Sequence, residues 1–142
     1  MNLFERDAVS RARLFLEMAG NCRFDQRDEY EALLEAAIVF GRAAFHRLKP
    51  TFENDAKWTK WMASLSGNES VEFFRKERNH VLKKGPTKVG QVIRVGVQTE
   101  RAEEHYFFES ADVPATATVE AHLKRIEQLV AEAQKRFARK RE

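Results

Sequence analysis

Apolar residues recur along this chain at three- and four-residue intervals over most of its length, and at two-residue intervals over one short stretch. The first spacing is that of a helix with one buried face, the second that of a half-buried strand. From about Asn2 to Ala19, Phe4, Ala8, Ala12, Phe15, Leu16 and Ala19 share a helical face, and Gly20-Asn21 is a stop signal. Asp25 is placed to cap a second, longer helix. Its stripe is Tyr30, Leu33, Leu34, Ala37, Ile38, Gly41, Ala44, Phe45 and Leu48, and it ends before Pro50. Gly41 and the alanines around it form a thin stretch where another helix can approach closely. Asn54 or Asp55 begins a short helix carrying Trp58, Trp61, Met62 and Leu65, and Ser66-Gly67 closes it. Asn68 then caps a helix that runs into Gly85-Pro86.

Beyond that proline the period changes. Val89, Gln91, Ile93, Val95 and Val97 alternate as in a strand, Thr99 to Glu103 is polar enough to turn, and His105 to Glu109 is rich in strand formers. A β-hairpin over about 88–110 follows from this. Two strands alone are marginal in water, so the hairpin must rest on helices or pair across an interface. A last helix, about 116–139, has Val119, Leu123, Ile126, Val130, Ala133 and Phe137 as its stripe. The expected fold is mainly α: an antiparallel bundle of about five helices, with one β-hairpin inserted before the C-terminal helix. The whole chain, 1–142, reads as a single domain, without repeats or a linker.

Composition narrows the function classes. No apolar run approaches the roughly 20 residues of a membrane span, and Met1 to Asp7 lacks the features of a signal peptide, so the expected setting is cytoplasmic with no membrane partner. A single cysteine, Cys22, allows neither an internal disulfide nor a cysteine cluster for zinc, and reads as a partly buried loop residue. His46, His80, His105 and His122 are scattered without metal-ligand spacing. No Walker loop, dinucleotide fingerprint or serine-nucleophile motif occurs, so no metal and no cofactor is expected. Net charge is +3, and seven basic against four acidic residues from Thr118 to Glu142 account for it, while the rest balances. The basic end, Lys135 to Arg141, complements the C-terminal pole of its helix. Tyr106, Phe107 and Phe108 are either base-stacking aromatics or the packed face of the hairpin.

The chemistry concentrates in Phe73-Phe74-Arg75-Lys76-Glu77-Arg78-Asn79-His80-Val81-Leu82-Lys83-Lys84-Gly85-Pro86. Projected at ~100° per residue, Val71, Phe74, Arg78, Val81 and Leu82 share one face. A guanidinium there needs an acidic or phosphate partner, because it keeps its charge. Two alternatives stay open: a salt bridge to Glu35 or Glu31 on the second helix, or an arginine lining a cleft between subunits. Arg75 lies at the edge of this face and His80 nearly opposite Arg78. Two such helices about a twofold axis would bring both sets to one cleft. Asn79 can orient an arginine or face solvent. Arg42 and His46, four apart on the second helix, either face the motif helix or form its polar edge.

Glu35 to Phe45 followed by Phe73 to Pro86 resembles uncharacterised bacterial proteins of the HEPN type, the likeness extending over about Asn2 to Pro86. The resemblance implies a small helical bundle that forms a homodimer. It further implies either a metal-independent RNase of a toxin–antitoxin, CRISPR-associated or anti-phage system, or a non-catalytic module that binds RNA, nucleotide or a protein partner. The family signature, R-x4-6-H, often with Asn, Asp or His directly after the arginine, can be laid down in two registers. Arg75 to His80 has the histidine but Lys76 after the arginine. Arg78-Asn79 has the preferred start but Lys83 at the histidine position. By this resemblance Arg75, Arg78 and His80 are the catalytic candidates, and Asn79, Lys83, Arg42 and His46 the substrate-binding ones.

Overall fold

The computed structural model describes residues 7–85, 89–91, 100–108 and 112–137. Six helical segments account for most of them: α1 (Ala8–Gly20), α2 (Arg27–His46), α3 (Leu48–Phe52), α4 (Trp58–Ser64), α5 (Glu69–Lys83) and α6 (Ala115–Arg136). A small antiparallel pair, β1 (Gly90–Gln91) and β2 (Tyr106–Phe107), precedes α6, with Gly90 opposite Phe107 and Gln91 opposite Tyr106. The chain is thus mainly helical with a two-stranded hairpin before its last helix, as the apolar pattern predicts. Ile93, Val95 and Val97, the middle of the alternating stretch, lie outside the described residues, as do Phe4 and Arg139 to Arg141.

Helix ends follow local chemistry, with two departures from expectation. Asp7 caps α1, its Oδ1 accepting from the Val9 amide at 3.0 Å, and Asn68 caps α5, its Oδ1 accepting from the Ser70 and Val71 amides at 3.1 Å each. Asp25 does not cap α2. It pairs with Arg23 at 3.1 Å, and the Ncap position falls to Gln26, whose side chain instead accepts from the Arg23 amide at 2.8 Å. α2 ends at His46, before Pro50 as expected, and after a turn at Arg47 the chain resumes as α3 with Pro50 in its first turn, where a missing amide hydrogen costs nothing. The short helix α4 begins at Trp58 rather than at Asn54 or Asp55, Asp55 Oδ1 instead accepting from the Lys57 amide at 2.8 Å. α5 stops where Gly85 takes a φ of +134°, a conformation that side-chain-bearing residues rarely adopt.

α1 and α2 pack along their lengths, α6 lies across both, and α5 closes against α2 and α6. Ala12, Ala19, Tyr30, Leu34, Ala37, Ile38, Val119, Leu123, Ile126 and Ala133 make the centre of the core. Leu129, outside the expected stripe, is buried as well, and Val130 only half-buried. Trp58, Trp61 and Phe52 gather around Phe137 at the far end, with ring centroids 5.3 to 6.0 Å apart.

The thin stretch on α2 behaves as predicted. Phe74 of α5, 1% exposed, sets its ring edge against Gly41, so close that a Cβ there would lie 2.8 Å from Cδ1. Burying that ring is worth on the order of 1.5–3 kcal/mol. It fixes which face of α5 meets α2. Leu82 does not share in this burial, contrary to the projection. It is 57% exposed, in the last turn of α5.

The hairpin rests on helices rather than standing alone. Tyr106 stacks on Tyr30 at 4.6 Å and Phe108 meets Phe73 edge-on at 5.7 Å. Tyr106 and Phe107 are buried, which assigns them to packing. Just before β2, the chain is clasped to the α1–α2 loop: the Phe24 amide donates to the Glu100 carbonyl at 2.6 Å and the Ala102 amide to the Cys22 carbonyl at 2.9 Å. Cys22 is itself buried, its thiol directed at the Met18 carbonyl. Among the described residues no helix is long and apolar enough to cross a membrane.

Candidate functional site

Seating Phe74 on Gly41 places the next residues of each helix side by side. On α2 that residue is Arg42; on α5 they are Arg75 and, one turn on, Arg78. All three are half-buried. The Arg42 guanidinium is the deepest in electrostatic terms. Burial pulls its pKa down, the positive charges of Arg78 and then Arg75 pull it further, and only Glu72 opposes them. Its usual value is so high that it stays charged. The downward shift reflects first the loss of water around the group and then the neighbouring positive charges.

The carboxylates near this cluster are unevenly shared. Glu72 takes Arg75, accepting from Nε at 3.1 Å and from Nη2 at 2.6 Å on one oxygen. The pair holds the Glu72 carboxyl below its ordinary range. It lies on the rim, so it adds little stability, yet it determines where the Arg75 charge is spent. The spacing of three residues is a signal for such a pair that the motif-centred sequence argument passed over.

Arg78 is not bridged to the second helix. Glu31 pairs instead with Arg27, one turn away on the same helix at 3.0 Å, and the one side-chain bond of Arg78 among the described residues runs from Nη1 to Asn79 Oδ1 at 3.3 Å. The salt bridge expected to Glu35 or Glu31 is thus replaced by a contact with a neutral amide. Arg42 makes no ion pair among the described residues.

The other predicted residues do not join the cluster. His46 is exposed, one turn beyond Arg42, and Lys83 is exposed in the last turn of α5. His80 is half-buried. By helical projection it stands ~20° from Phe73 and ~160° from Arg78, on the side of α5 that meets α6 and the hairpin. Its backbone carbonyl closes the helix, accepting from the Lys84 and Gly85 amides at 2.8 and 3.1 Å. The structure therefore brings together Arg42, Arg75, Arg78 and Asn79, with His80 on the opposite side of α5 and His46 and Lys83 exposed at the helix ends.

On the His80 side lies a pair that no local motif could signal, since its members are 52 residues apart. Ser70 Oγ, buried in the first turn of α5, lies 2.8 Å from His122 Nδ1 on α6. The imidazole stacks on Phe73 at 4.2 Å and 15°. Burial lowers the His122 pKa, with Glu69 pulling the other way. The hydroxyl and the imidazole are enclosed in packing between helices, so the pair joins α5 to α6.

A separate open groove of about 440 Å³ runs between α1, α6 and the turn before β2. Glu17, Glu103, Glu104 and Glu120 line it, against one arginine, Arg13, which is itself tied to Glu120 and Glu127 at 3.2 and 3.0 Å. Its acidic lining is unsuited to a polyanion. No group of three or more His, Cys, Asp or Glu among the described residues is arranged to hold a metal ion.

Compared with known proteins, the chain matches no family model, no curated protein and no solved structure.

Proposed function

We propose that this chain is a HEPN-like domain that binds RNA or nucleotide through phosphate groups at the α2–α5 basic cluster and works as a homodimer. One observation carries the reading: Arg42 and Arg78 stand half-buried on helices held in contact by Phe74 and Gly41, and neither forms an ion pair among the described residues. Two like charges partly removed from water raise the energy of the fold unless an anion joins them. Arginine forks match phosphate oxygens in pairs. Asn79 holds the Arg78 fork from one side. Arg75, already matched by Glu72, sits at the rim as a second-rank contact.

Cleavage makes a further demand. Metal-independent RNA cleavage needs a ribose 2′-hydroxyl as nucleophile, a charge to stabilise the phosphorane and a group that moves the proton. Arg78 or Arg75 supplies the charge and His80 the proton transfer. Within one chain His80 stands on the opposite side of α5, so the reaction requires His80 of one copy to face the arginines of another. Lys83, with an unperturbed pKa near 10.4, is a poor base at neutral pH. RNase activity in a toxin or anti-phage setting is the outcome this arrangement supports if the dimer forms in that way.

The separation of His80 and Lys83 from the cluster favours one alternative, a non-catalytic helical dimerisation or protein-interaction module with Arg78 as a structural cation. RNA binding followed by fluorescence anisotropy, and RNA cleavage in EDTA, separate the two for wild type, R42A, R75A, R78A and H80A. The binding reading expects affinity that falls steeply with salt and is lost in R42A and R78A. Cleavage expects a 2′,3′-cyclic phosphate product and its loss in H80A. Affinity untouched by both R42A and R78A sinks the phosphate site. A large loss of stability in R78A without RNA binding in wild type establishes the structural role.

A further inference from the structure

The charge balance of the α2–α5 cluster points to a particular kind of phosphate. Glu72 already satisfies Arg75. What remains is Arg42 and Arg78, two fixed positive charges on the helices that Phe74 and Gly41 hold in contact, both half-buried and neither in an ion pair among the described residues. A guanidinium cannot relieve its position by losing its proton.

A phosphodiester of an RNA backbone carries one negative charge over two terminal oxygens. A phosphomonoester carries about −1.5 to −2 at neutral pH over three terminal oxygens. Only the second matches two cations in number, and its three oxygens allow each fork a paired contact. The Asn79 amide, whose oxygen is engaged by Arg78 Nη1, leaves its NH2 group as a neutral donor beside the same space. From these relations we infer that Arg42 and Arg78 together bind one terminal phosphomonoester, that of a 5′-phosphorylated RNA end or of a nucleotide, in preference to the internal diesters of an RNA chain. The inference rests on the phosphate-binding reading above and adds the class of group that is chosen.

The test uses the full chain and one single-stranded oligoribonucleotide prepared with a 5′-phosphate or a 5′-hydroxyl, titrated at low salt near neutral pH. The phosphorylated form should bind about tenfold more tightly. R42Q and R78Q should each bring the two forms within about twofold of each other. R125Q, on an exposed part of α6, should preserve the difference. Thermal melts serve as the folding control, and both cluster variants should melt no lower than wild type because each removes a like charge. Equal affinity of wild type for the two forms overturns the monoester preference and leaves the phosphate-binding reading intact.

If neither RNA binds, that reading fails as stated for RNA, and inorganic phosphate decides the inference. A rise in melting temperature with phosphate that R42Q abolishes sustains a dianion site. No rise overturns it. A drop in sedimentation mass in R42Q, with phosphate without effect, also overturns it, since a carboxylate of a second copy would then be what the arginines hold.

Discussion

Gly41 and Phe74 occupy one position between them: the space a Cβ would fill on α2 is taken by the ring edge of Phe74 on α5. This contact sets the approach of the two helices and thereby brings Arg42 beside Arg75 and Arg78. Electrostatics at the cluster is downstream of a packing choice.

Gly41→Ala tests that choice. Alanine would gain about 1 kcal/mol in helix propensity, but its methyl would lie 2.8 Å from Phe74 Cδ1, against a ring that is 1% exposed and has nowhere to go. Overpacking of this kind costs roughly 1–3 kcal/mol or more. Urea unfolding should show a net loss. A variant more stable than wild type would mean the interface opens without penalty.

His122 gives a pH dependence whose sign is set by burial. Its pKa in the fold lies below the ordinary 6.5, so between those two values the unfolded chain binds more protons than the folded one. Stability is therefore full above about pH 6.5 and declines as pH falls through that window, levelling once the folded ring is also protonated. Comparing unfolding free energies at several pH values for wild type and His122→Gln should show the step only in the former. The same slope in both would assign it to other groups.

Asn68→Ala removes the acceptor for two amides at the start of α5, and a loss of about 1 kcal/mol is expected. Asn68→Asp and Asn68→Ser should keep most of it. Chemical denaturation of the three variants ranks them directly, and an alanine variant equal to the serine one would show that solvent satisfies these amides as well.

Tyr106, whose ring stacks on Tyr30, has its hydroxyl oxygen buried without a hydrogen bond among the described residues. A polar atom in that position opposes folding. Tyr106→Phe should leave stability unchanged or raise it by up to about 1–2 kcal/mol. A clear drop in melting temperature would reveal a partner for the hydroxyl in solution.

The main helical stripes and the Asn68 cap follow from sequence because they depend on residues three or four apart. The closeness at Gly41 was legible for the same reason: a residue without a side chain inside an apolar stripe has few other uses. Asp25 departs from expectation where two local solutions compete: an aspartate beside Arg23 can pair instead of capping. The partners of Arg78 could not be read at all, because Glu31 was equally placed to reach Arg27. Neither could Ser70–His122, which exists only once α5 and α6 are assembled. Placing Arg42 against the motif helix required knowing that Phe74 would seat on Gly41.

The clasp between the α1–α2 loop and the strand-bearing segment has a kinetic meaning. α1 and α2 are neighbours along the chain and can meet early, whereas Phe24–Glu100 and Cys22–Ala102 close a loop spanning more than half of the sequence. Such closure is slow to be repaid unless other contacts are already in place. The clasp therefore forms late in folding and parts early in unfolding. The amides of Phe24 and Ala102 should therefore exchange with solvent by local opening, ahead of the amides in the middle of α1 and α2.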